Sequence, residues 1–82
     1  MIVRLQLFAR ARDLASVEWV DLELGETTTV GDLRKALARR YPALETLVAR
    51  SAIALDEEFA EDSEPIHEQS KLALLPPVSG GA

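Results

Sequence analysis

Seven residues at positions 76–82, Pro-Pro-Val-Ser-Gly-Gly-Ala, are the part of this sequence best suited to carry chemistry. Gly80 and Gly81 have no Cβ, so a segment containing them can enter a narrow channel and bring a terminal carboxylate to an enzyme's nucleotide. Pro76 and Pro77 fix their own φ angles and lack an N–H, which would keep the base of the segment extended and away from a sheet. A diglycine alone is weak support, because an inert chain end can have the same composition.

The rest of the chain is poorly supplied with catalytic groups. It has no cysteine, which excludes disulfides, thiolate zinc sites and cysteine nucleophiles. We expect its single histidine, His67, to be a surface loop residue, because an isolated histidine among carboxylates does not provide a metal site. The serines have no base at motif spacing and no G-x-S-x-G context. Gly80-Gly81 follows a predicted strand and opens no helix, so it is not a phosphate-binding loop.

Composition favours one small globular domain. Of the 82 residues, 48% are hydrophobic and 28% are charged, which is the balance expected of a chain with a single core. No run approaches the roughly 18 apolar residues of a membrane-spanning helix, and no N-terminal signal pattern is seen. We therefore expect a cytoplasmic protein without a membrane segment.

The charge pattern argues against a nucleic-acid partner. Nine basic and fourteen acidic residues give a net charge of −5, whereas affinity for nucleic acid depends on cationic contacts with phosphates. Half of the acidic residues fall in one stretch without Lys or Arg: Asp56, Glu57, Glu58, Glu61, Asp62, Glu64 and Glu68. Two interpretations remain open, namely a solvated face and a surface that steers a basic partner protein by long-range attraction.

Two strands are predicted in the N-terminal part of the chain. Apolar and polar side chains alternate over residues 1–8, which is typical of a half-buried strand. The alternation breaks at residues 10–15 and resumes over residues 17–24, where Trp19, Asp21 and Glu23 occupy the polar side. We expect the two strands to form a hairpin.

A helix is predicted after the second strand. Thr29 and Asp32 have the spacing of a capping box, with Asp in place of the usual Glu or Gln. Apolar residues then recur at helical spacing from Val30 until Pro42 ends the pattern. Residues 44–48 suggest one further short helical turn.

Two more strands complete the predicted order of strand, strand, helix, strand, strand. Residues 52–55 are a short apolar run, residues 65–70 read as a loop, and residues 71–75 form a last strand that Pro76 stops. One core then requires a mixed sheet packed on one main helix, with the last strand beside the first and parallel to it. This is the α+β ubiquitin-like β-grasp fold, with a domain at residues 1–75 and an extended tail at residues 76–82.

With these features the sequence resembles the sulfur-carrier small subunit of molybdopterin synthase. The family's chains have about this length and end in a strand followed by PPVSGG or PPVTGG, and here residues 72–75 lead directly into PPVSGG. Residues 3–14, VRLQLFARARDL, resemble the family's first strand and following turn, and residues 29–33, TVGDL, resemble its helix start. The resemblance covers nearly the whole chain, and the tail is its one highly specific part.

The resemblance implies a non-catalytic sulfur carrier rather than an enzyme. An E1-like adenylating enzyme would use ATP to activate the diglycine carboxylate, and sulfur would then displace AMP to give a thiocarboxylate. Seated in the large catalytic subunit of the synthase, the carrier would donate this sulfur to cyclic pyranopterin monophosphate. The family also implies a heterotetramer with the large subunit and no cofactor bound by the carrier itself.

Roles for single residues follow from the same resemblance. Gly81 would be the modified terminus, Gly80 and Ser79 the threaded tail, and Pro76, Pro77 and Val78 its rigid base. The family also implies apolar contacts with the large subunit and the activating enzyme through Phe8, Phe59 and Leu75. Core packing is the alternative interpretation of these last three residues.

Three positions differ from the family's pattern. Ala82 follows the diglycine, so Gly81 has no free carboxylate in the sequence as written. We expect activation to require loss of Ala82, either by proteolytic trimming or because it is a cloning remnant. Residues 68–71, Glu-Gln-Ser-Lys, stand where a Gly-Asp-Glu turn is usual, and Asp56 stands where asparagine is common.

Two other functions are compatible with the same fold. One is a sulfur carrier for thiamine-thiazole synthesis, tRNA thiolation or another sulfur-transfer pathway. The other is a ubiquitin-like binding module whose tail is inert. The diproline favours the molybdopterin carrier over the first of these.

Overall fold

Five strands form one mixed sheet in the computed structural model, which describes residues 1–77. In chain order the strands are β1 (Ile2–Leu7), β2 (Trp19–Glu23), β3 (Ala52–Leu55), β4 (Glu58–Ala60) and β5 (Leu72–Leu75). Their order across the sheet is β2-β1-β5-β3-β4. β1 and β5 are parallel, while the other three neighbouring pairs are antiparallel. The predicted parallel pairing of the first and last strands is therefore confirmed.

Three helices connect the strands. They are α1 (Ala9–Ala15), α2 (Val30–Arg40) and α3 (Glu45–Arg50), and a 3-10 turn at Pro42–Leu44 joins the last two. The predicted capping box starts α2, because the Asp32 amide donates to Thr29 Oγ1 at 3.3 Å and the Thr29 amide donates to Asp32 Oδ2 at 3.1 Å. Pro42 stands two residues beyond the helix end, as predicted. No helix within residues 1–77 is long and apolar enough to cross a bilayer.

The core lies on one face of the sheet. The inward side chains of β1, β2, β3 and β5 pack with Val30, Leu33 and Leu37 of α2 and with apolar residues of the connections. Each fully buried Leu or Ile in this layer contributes about 1.5–3 kcal/mol to folding by leaving water. The buried sheet residues are Val3, Leu5, Leu7, Val20, Leu22, Ile53, Leu72 and Leu74. This helix-covered mixed sheet is the β-grasp fold that the sequence predicted.

Two elements were not predicted. β1 and β2 pair as expected, but the residues between them, where the alternation breaks, form the seven-residue helix α1. β4 lies within the acidic stretch and contains only three residues. The other boundaries agree within two residues, and β3 matches its predicted range of 52–55.

The turn between β3 and β4 is tight and has no glycine. Asp56 and Glu57 form its two central positions with φ angles of 52° and 73°. Asp56 is also bonded to the residue that precedes β5, since its amide donates to the Lys71 carbonyl at 2.8 Å and its Oδ1 accepts from the Lys71 amide at 2.9 Å. Aspartate thus serves where asparagine is common in the family, and the turn is held against the central strand.

A glycine-free turn also forms over residues 67–70. The His67 amide donates to Ser70 Oγ at 3.0 Å, and the Ser70 amide donates to the His67 carbonyl at 3.0 Å. The replacement of the usual Gly-Asp-Glu segment therefore leaves a closed turn. His67 is an exposed loop residue, as predicted.

Arg34 connects three elements from the outer side of α2. Its Nη1 donates to the carbonyls of Val48 and Ser51 at 2.6 and 2.7 Å, and its Nε donates to Asp62 Oδ1 at 2.8 Å. Only 19% of its side-chain area is exposed. The guanidinium thus satisfies carbonyls at the C-terminal end of α3, where a cation is electrostatically favoured.

Candidate functional site: the open sheet face and the tail base

The tail leaves from the central strand of the sheet. β5 pairs with β1 on one side and with β3 on the other, so its backbone position is fixed by two neighbours. Pro76 and Pro77 follow directly, and neither can donate to a ladder of backbone hydrogen bonds. Of the tail predicted at residues 76–82, the structure describes these two prolines. Val78, Ser79, Gly80, Gly81 and Ala82 lie outside the described residues.

The sheet face opposite the core carries no buried side chain among residues 1–77. We call it the open face. The registers place one residue of each strand in a row across it, because paired residues project to the same side of a sheet. In the order β2 to β4 this row is Trp19, Gln6, Ala73, Ala54 and Phe59.

Two large aromatic side chains therefore stand at the ends of the row, with Gln6 and two alanines between them. Trp19 is 48% exposed and Phe59 is 77% exposed, while Ala54 and Ala73 leave the middle of the row low. A shallow depression of about 440 Å³ lies beside Trp19, bordered by Gln6, the two alanines and the Glu57 end of the turn. A surface with this relief can receive a protruding apolar side chain of a partner.

The three predicted partner contacts lie on or beside the open face. Leu75 pairs with Ala52 and lies two residues closer to the tail than Ala73, the β5 member of the row. Phe8 follows Leu7, which pairs with Leu74, so Phe8 stands at the level of Leu75 on the neighbouring strand. Phe59 lies two strands away from β5. The structure thus brings Phe8 and Leu75 together near the tail base and places Phe59 at the far edge.

None of these three residues belongs to the buried apolar core. Phe59 is one of the most exposed large side chains, and neither Phe8 nor Leu75 belongs to the buried apolar cluster. Phe8 and Leu75 are half-buried. Their roles in binding remain predictions, but their placement leaves apolar surface available at the base of the tail.

Trp19 is a surface residue that sequence reasoning did not select. The sequence did indicate an exposed tryptophan, because the alternation over residues 17–24 places Trp19 on the polar side of its strand, with Asp21 and Glu23. The Arg4 guanidinium carbon lies 5.5 Å from the centre of the Trp19 ring, and Arg4 Nε donates to Asp21 Oδ1 at 3.1 Å. These contacts hold the indole at the edge of the open face while leaving half of it exposed.

The predicted acidic stretch is an exposed surface beside the open face. All seven of its acidic residues are exposed and lie on the β3–β4 turn, on β4 and in the loops that follow. One of them, Asp62, pairs with Arg34, and Asp56 accepts from a backbone amide. Within residues 1–77 no cluster of three or more His, Asp or Glu side chains is arranged to hold a metal ion. The open face and the tail base are therefore the candidate site, and their character is that of a docking surface.

Comparison with known proteins gives consistent matches. The family model described as the ThiS family matches residues 5–81. The molybdopterin synthase sulfur carrier subunit of Arabidopsis thaliana is 34% identical over 79 residues, which cover 96% of this chain and 82% of that protein.

Solved structures match over almost the whole chain. The crystal structure of SAMP1 from Haloferax volcanii has a TM-score of 0.89 at 31% identity and covers 99% of this chain and 100% of its own. A chain from the Helicobacter pylori complex of subunits 1 and 2 of molybdopterin-converting factor has a TM-score of 0.69 at 23% identity, covering 99% and 100% of the two chains. At that identity the second match establishes the fold alone.

Proposed function

The chain belongs to the ThiS family, and from this membership we propose that it is the sulfur carrier of molybdopterin synthase. The observation that supports the pathway most directly is the 34% identity to the Arabidopsis thaliana sulfur carrier subunit over almost the full chain. Curated relatives from Chlamydomonas reinhardtii and Dictyostelium discoideum have the same name. The family match reaches Gly81, so the diglycine lies inside the region that the family shares.

The proposed reaction takes place at Gly81. A carboxylate is a poor electrophile, so an oxygen of the Gly81 carboxylate first attacks the α-phosphorus of ATP and pyrophosphate leaves. Sulfur from a donor then attacks the acyl carbon and AMP leaves, which gives the thiocarboxylate. In the transfer to cyclic pyranopterin monophosphate the bond between the acyl carbon and sulfur breaks, and water supplies the oxygen that restores the carboxylate. The carrier needs no cofactor of its own in this scheme, because the activating enzyme supplies the nucleotide.

The alanine after the diglycine makes the reaction conditional. In the sequence as written, the Gly81 carbonyl is in a peptide bond with Ala82. A terminal alanine would also carry a methyl group into a channel shaped for glycine. We propose that Gly81 is activated only after Ala82 is removed.

The open face is the proposed docking surface for both partners, the large synthase subunit and the E1-like adenylating enzyme. Phe8 and Leu75 border the tail base, so a partner that grips them also receives the tail. Phe59 and Trp19 offer exposed aromatic area, the kind of surface that concentrates binding energy in protein interfaces. We propose that docking gives a heterotetramer in the cytoplasm. A chain of similar fold from Helicobacter pylori belongs to a complex of subunits 1 and 2 of molybdopterin-converting factor.

An activation assay tests this proposal. The 82-residue chain and a variant that ends at Gly81 are each incubated with an activating enzyme, ATP and a sulfur donor, and intact mass is measured. We expect the mass shift of one oxygen-to-sulfur exchange in the Gly81-terminated variant and none in the longer chain. A Gly81→Ala variant of the shorter form is the matched control and should react far more slowly. Normal activation of the intact chain would overturn the role given to Ala82, and no exchange in either form would overturn the carrier function.

The second half of the assay identifies the pathway. The thiocarboxylate form is mixed with the large subunit and cyclic pyranopterin monophosphate, and molybdopterin is measured by its fluorescent oxidation product. Formation of molybdopterin is the expected result. Exchange of oxygen for sulfur without this second step would instead indicate a carrier for another thiolation pathway.

Protein modification is a second candidate function. It is favoured by the likeness to SAMP1 of Haloferax volcanii, a small archaeal modifier protein, with a TM-score of 0.89. An activated Gly81 acyl group could be attacked by a lysine amine as well as by sulfur, with loss of AMP. Mass spectrometry for glycine-linked lysines on cellular proteins separates the two roles.

A further inference from the structure

β2 is an edge strand whose outer hydrogen-bonding groups are unpaired by any other strand of residues 1–77. Met1 and Leu24 exchange both of their backbone hydrogen bonds at 2.7 Å, and the Leu7 amide donates to the Glu18 carbonyl at 2.7 Å. Bonded pairs alternate with non-bonded pairs in an antiparallel ladder, so the residues between these pairs turn their N–H and C=O groups outward. Three β2 residues do so: Trp19, Asp21 and Glu23.

The opposite edge of the sheet offers much less. β4 has three residues, and the residues at its two ends, Glu58 and Ala60, are in register with Leu55 and Ile53 of β3. The Asp56 amide bonds to Lys71, the residue that precedes β5, so Asp56 faces β5. The alternation in β3 therefore turns the backbone groups of Ile53 and Leu55 toward β4. This leaves Phe59 as the single β4 residue with outward backbone groups. A short edge resists pairing with other chains, whereas the β2 edge is long enough to template it.

A groove runs beside the β2 edge. It has a volume of about 710 Å³ and lies between the C-terminal half of β2 and α2, with the small side chain of Ala36 on its helical wall. Arg39 and Arg40 border one end, while Glu23 and Asp32 border the other. Asp32 is already engaged by the amide and hydroxyl of Thr29. The other end therefore carries two arginines that have no ion-pair partner among residues 1–77.

The two arginines are available for an incoming carboxylate. Neither has a carboxylate within 4.0 Å among residues 1–77. Arg40 Nη1 donates to the outward carbonyl of Asp21 at 3.3 Å, and Arg39 Nε makes one long contact of 3.5 Å with the Lys35 carbonyl. Both bonds are long, and a carboxylate would add an attraction between opposite charges that a carbonyl oxygen does not offer.

We propose that the β2 edge and its groove bind an extended peptide segment of a partner protein by strand addition. Main-chain hydrogen bonds to Trp19, Asp21 and Glu23 would give the affinity, and alternate side chains would enter the groove. Charge complementarity selects the occupant, because acidic side chains at the Arg39–Arg40 end gain partners and basic ones are repelled. This site is separate from the open face and from the tail, and it does not depend on the sulfur-carrier function.

A peptide titration tests the site on the full chain. The probe is a capped peptide of about eight residues, which is a usual strand length. Its first four residues alternate between Val and Ile, and the remaining residues are glutamates. Titrated into the ¹⁵N-labelled protein, it should shift and slow the hydrogen exchange of the Trp19, Asp21 and Glu23 amides. The same peptide with lysines in place of glutamates should bind at least about tenfold more weakly. A glutamate peptide with N-methyl groups at alternate residues should not bind, since it cannot complete the ladder.

Two charge-reversal variants separate this site from general electrostatic attraction. The double variant Arg39→Glu/Arg40→Glu should weaken the binding of the glutamate peptide by about tenfold or more. Arg10→Glu/Arg12→Glu on α1 makes the same change in net charge outside the groove. Its affinity for the peptide should stay within about threefold of that of the unsubstituted protein. The proposal is overturned by shifts confined to the open face, by equal losses in both double variants, or by equal binding of the N-methyl peptide. Self-association of the chain through β2, seen by sedimentation without peptide, would also overturn it in favour of a second copy as occupant.

Discussion

At the residue scale, Glu57 has a backbone conformation that its side chain disfavours. Its φ of 73° follows the 52° of Asp56, and such paired positive angles in a two-residue turn favour Asn-Gly or Asp-Gly. A residue with a Cβ is destabilised by roughly 1–2 kcal/mol in this region. Glycine avoids this cost, but its greater conformational entropy in the unfolded state offsets part of the gain in stability. Glu57→Gly should therefore stabilise the protein by about 0.5–1 kcal/mol.

Urea unfolding followed by circular dichroism measures this change. Glu58→Gly is the matched control, because it replaces the neighbouring glutamate inside β4, where glycine weakens a strand. The control should destabilise the protein. A loss of stability in both variants would show that the Glu57 side chain, rather than its φ angle, matters at this turn.

Arg34 is the second single residue with a large expected effect. Replacing it with alanine removes the donor to the Val48 and Ser51 carbonyls, and Ser51 is itself buried. Hydrogen bonds to charged groups contribute about 1.5–3 kcal/mol, so Arg34→Ala should lower the free energy of unfolding by about 2 kcal/mol or more.

The partner of Arg34 provides the control. The carboxylate of Asp62 is 64% exposed, and exposed ion pairs contribute about 1 kcal/mol at most. Asp62→Ala should therefore cost much less than Arg34→Ala in the same urea titration. Equal losses would mean that the ion pair, and not the capping of α3, is the stabilising contact.

At the scale of elements, the start of α2 makes stability depend on pH. The backbone amide of Thr29 and then its hydroxyl bond to the Asp32 carboxylate and hold its pKa below the usual value of 3.8. Because the folded pKa lies below the unfolded one, this contribution is fully present above the unfolded pKa and is lost as pH falls through the folded value. The difference in unfolding free energy between the protein and Asp32→Asn should therefore shrink as pH is lowered from neutral to about 3.

Thermal unfolding across this pH range measures the effect. Three groups donate to the carboxylate, namely the Thr29 amide and the hydroxyls of Thr29 and Thr28. Thr29→Ala removes one of them, so it should reduce the same pH dependence in part. A stability difference between wild type and Asp32→Asn that is constant over the range would contradict the capping role of the charged form.

Element prediction from this sequence succeeded where local chemistry was strong. The Thr29–Asp32 capping box and Pro42 marked the limits of α2, and alternation marked β1 and β2. α1 was missed because Ala11 is its one buried residue, so seven residues gave no apolar periodicity. β4 was missed because pairing with β3 forms it, whereas its Glu58 and the acidic residues on either side of it disfavour a strand. Both elements depend on tertiary context.

At the scale of the whole molecule, the open face should matter for binding far more than for folding. Phe59 is 77% exposed, so folding buries little of its area, and Trp19 is still 48% exposed. Phe59→Ala should change the free energy of unfolding by about 0.5 kcal/mol or less. If the face docks the large subunit, the same variant should weaken binding by about tenfold or more, as measured by calorimetry.

Replacing a polar residue elsewhere on the surface provides the control for both measurements. Glu26→Ala replaces an exposed residue of the β2–α2 loop and should alter neither quantity. Unchanged affinity in both Phe59→Ala and Trp19→Ala would place the partner on another surface.

The candidate site was only partly predictable. The order of elements implied a β5 that runs into Pro76, and the family resemblance pointed to Phe8, Phe59 and Leu75. The position of Trp19 in line with Phe59 could not be predicted, because that row depends on four strand registers and on β4. Registers are fixed by packing across the sheet, which no single strand's sequence specifies.

The parallel pairing of β1 and β5 also determines how the molecule bears mechanical load. A partner that holds the tail pulls on β5 along its axis, while the adjacent β1 runs in the same direction and is held by β2 and α1. The backbone hydrogen bonds between the two strands are then loaded together in shear, rather than opened one after another. If a partner channel holds the tail as we propose, withdrawal of the tail should therefore leave the fold intact and ready for another cycle.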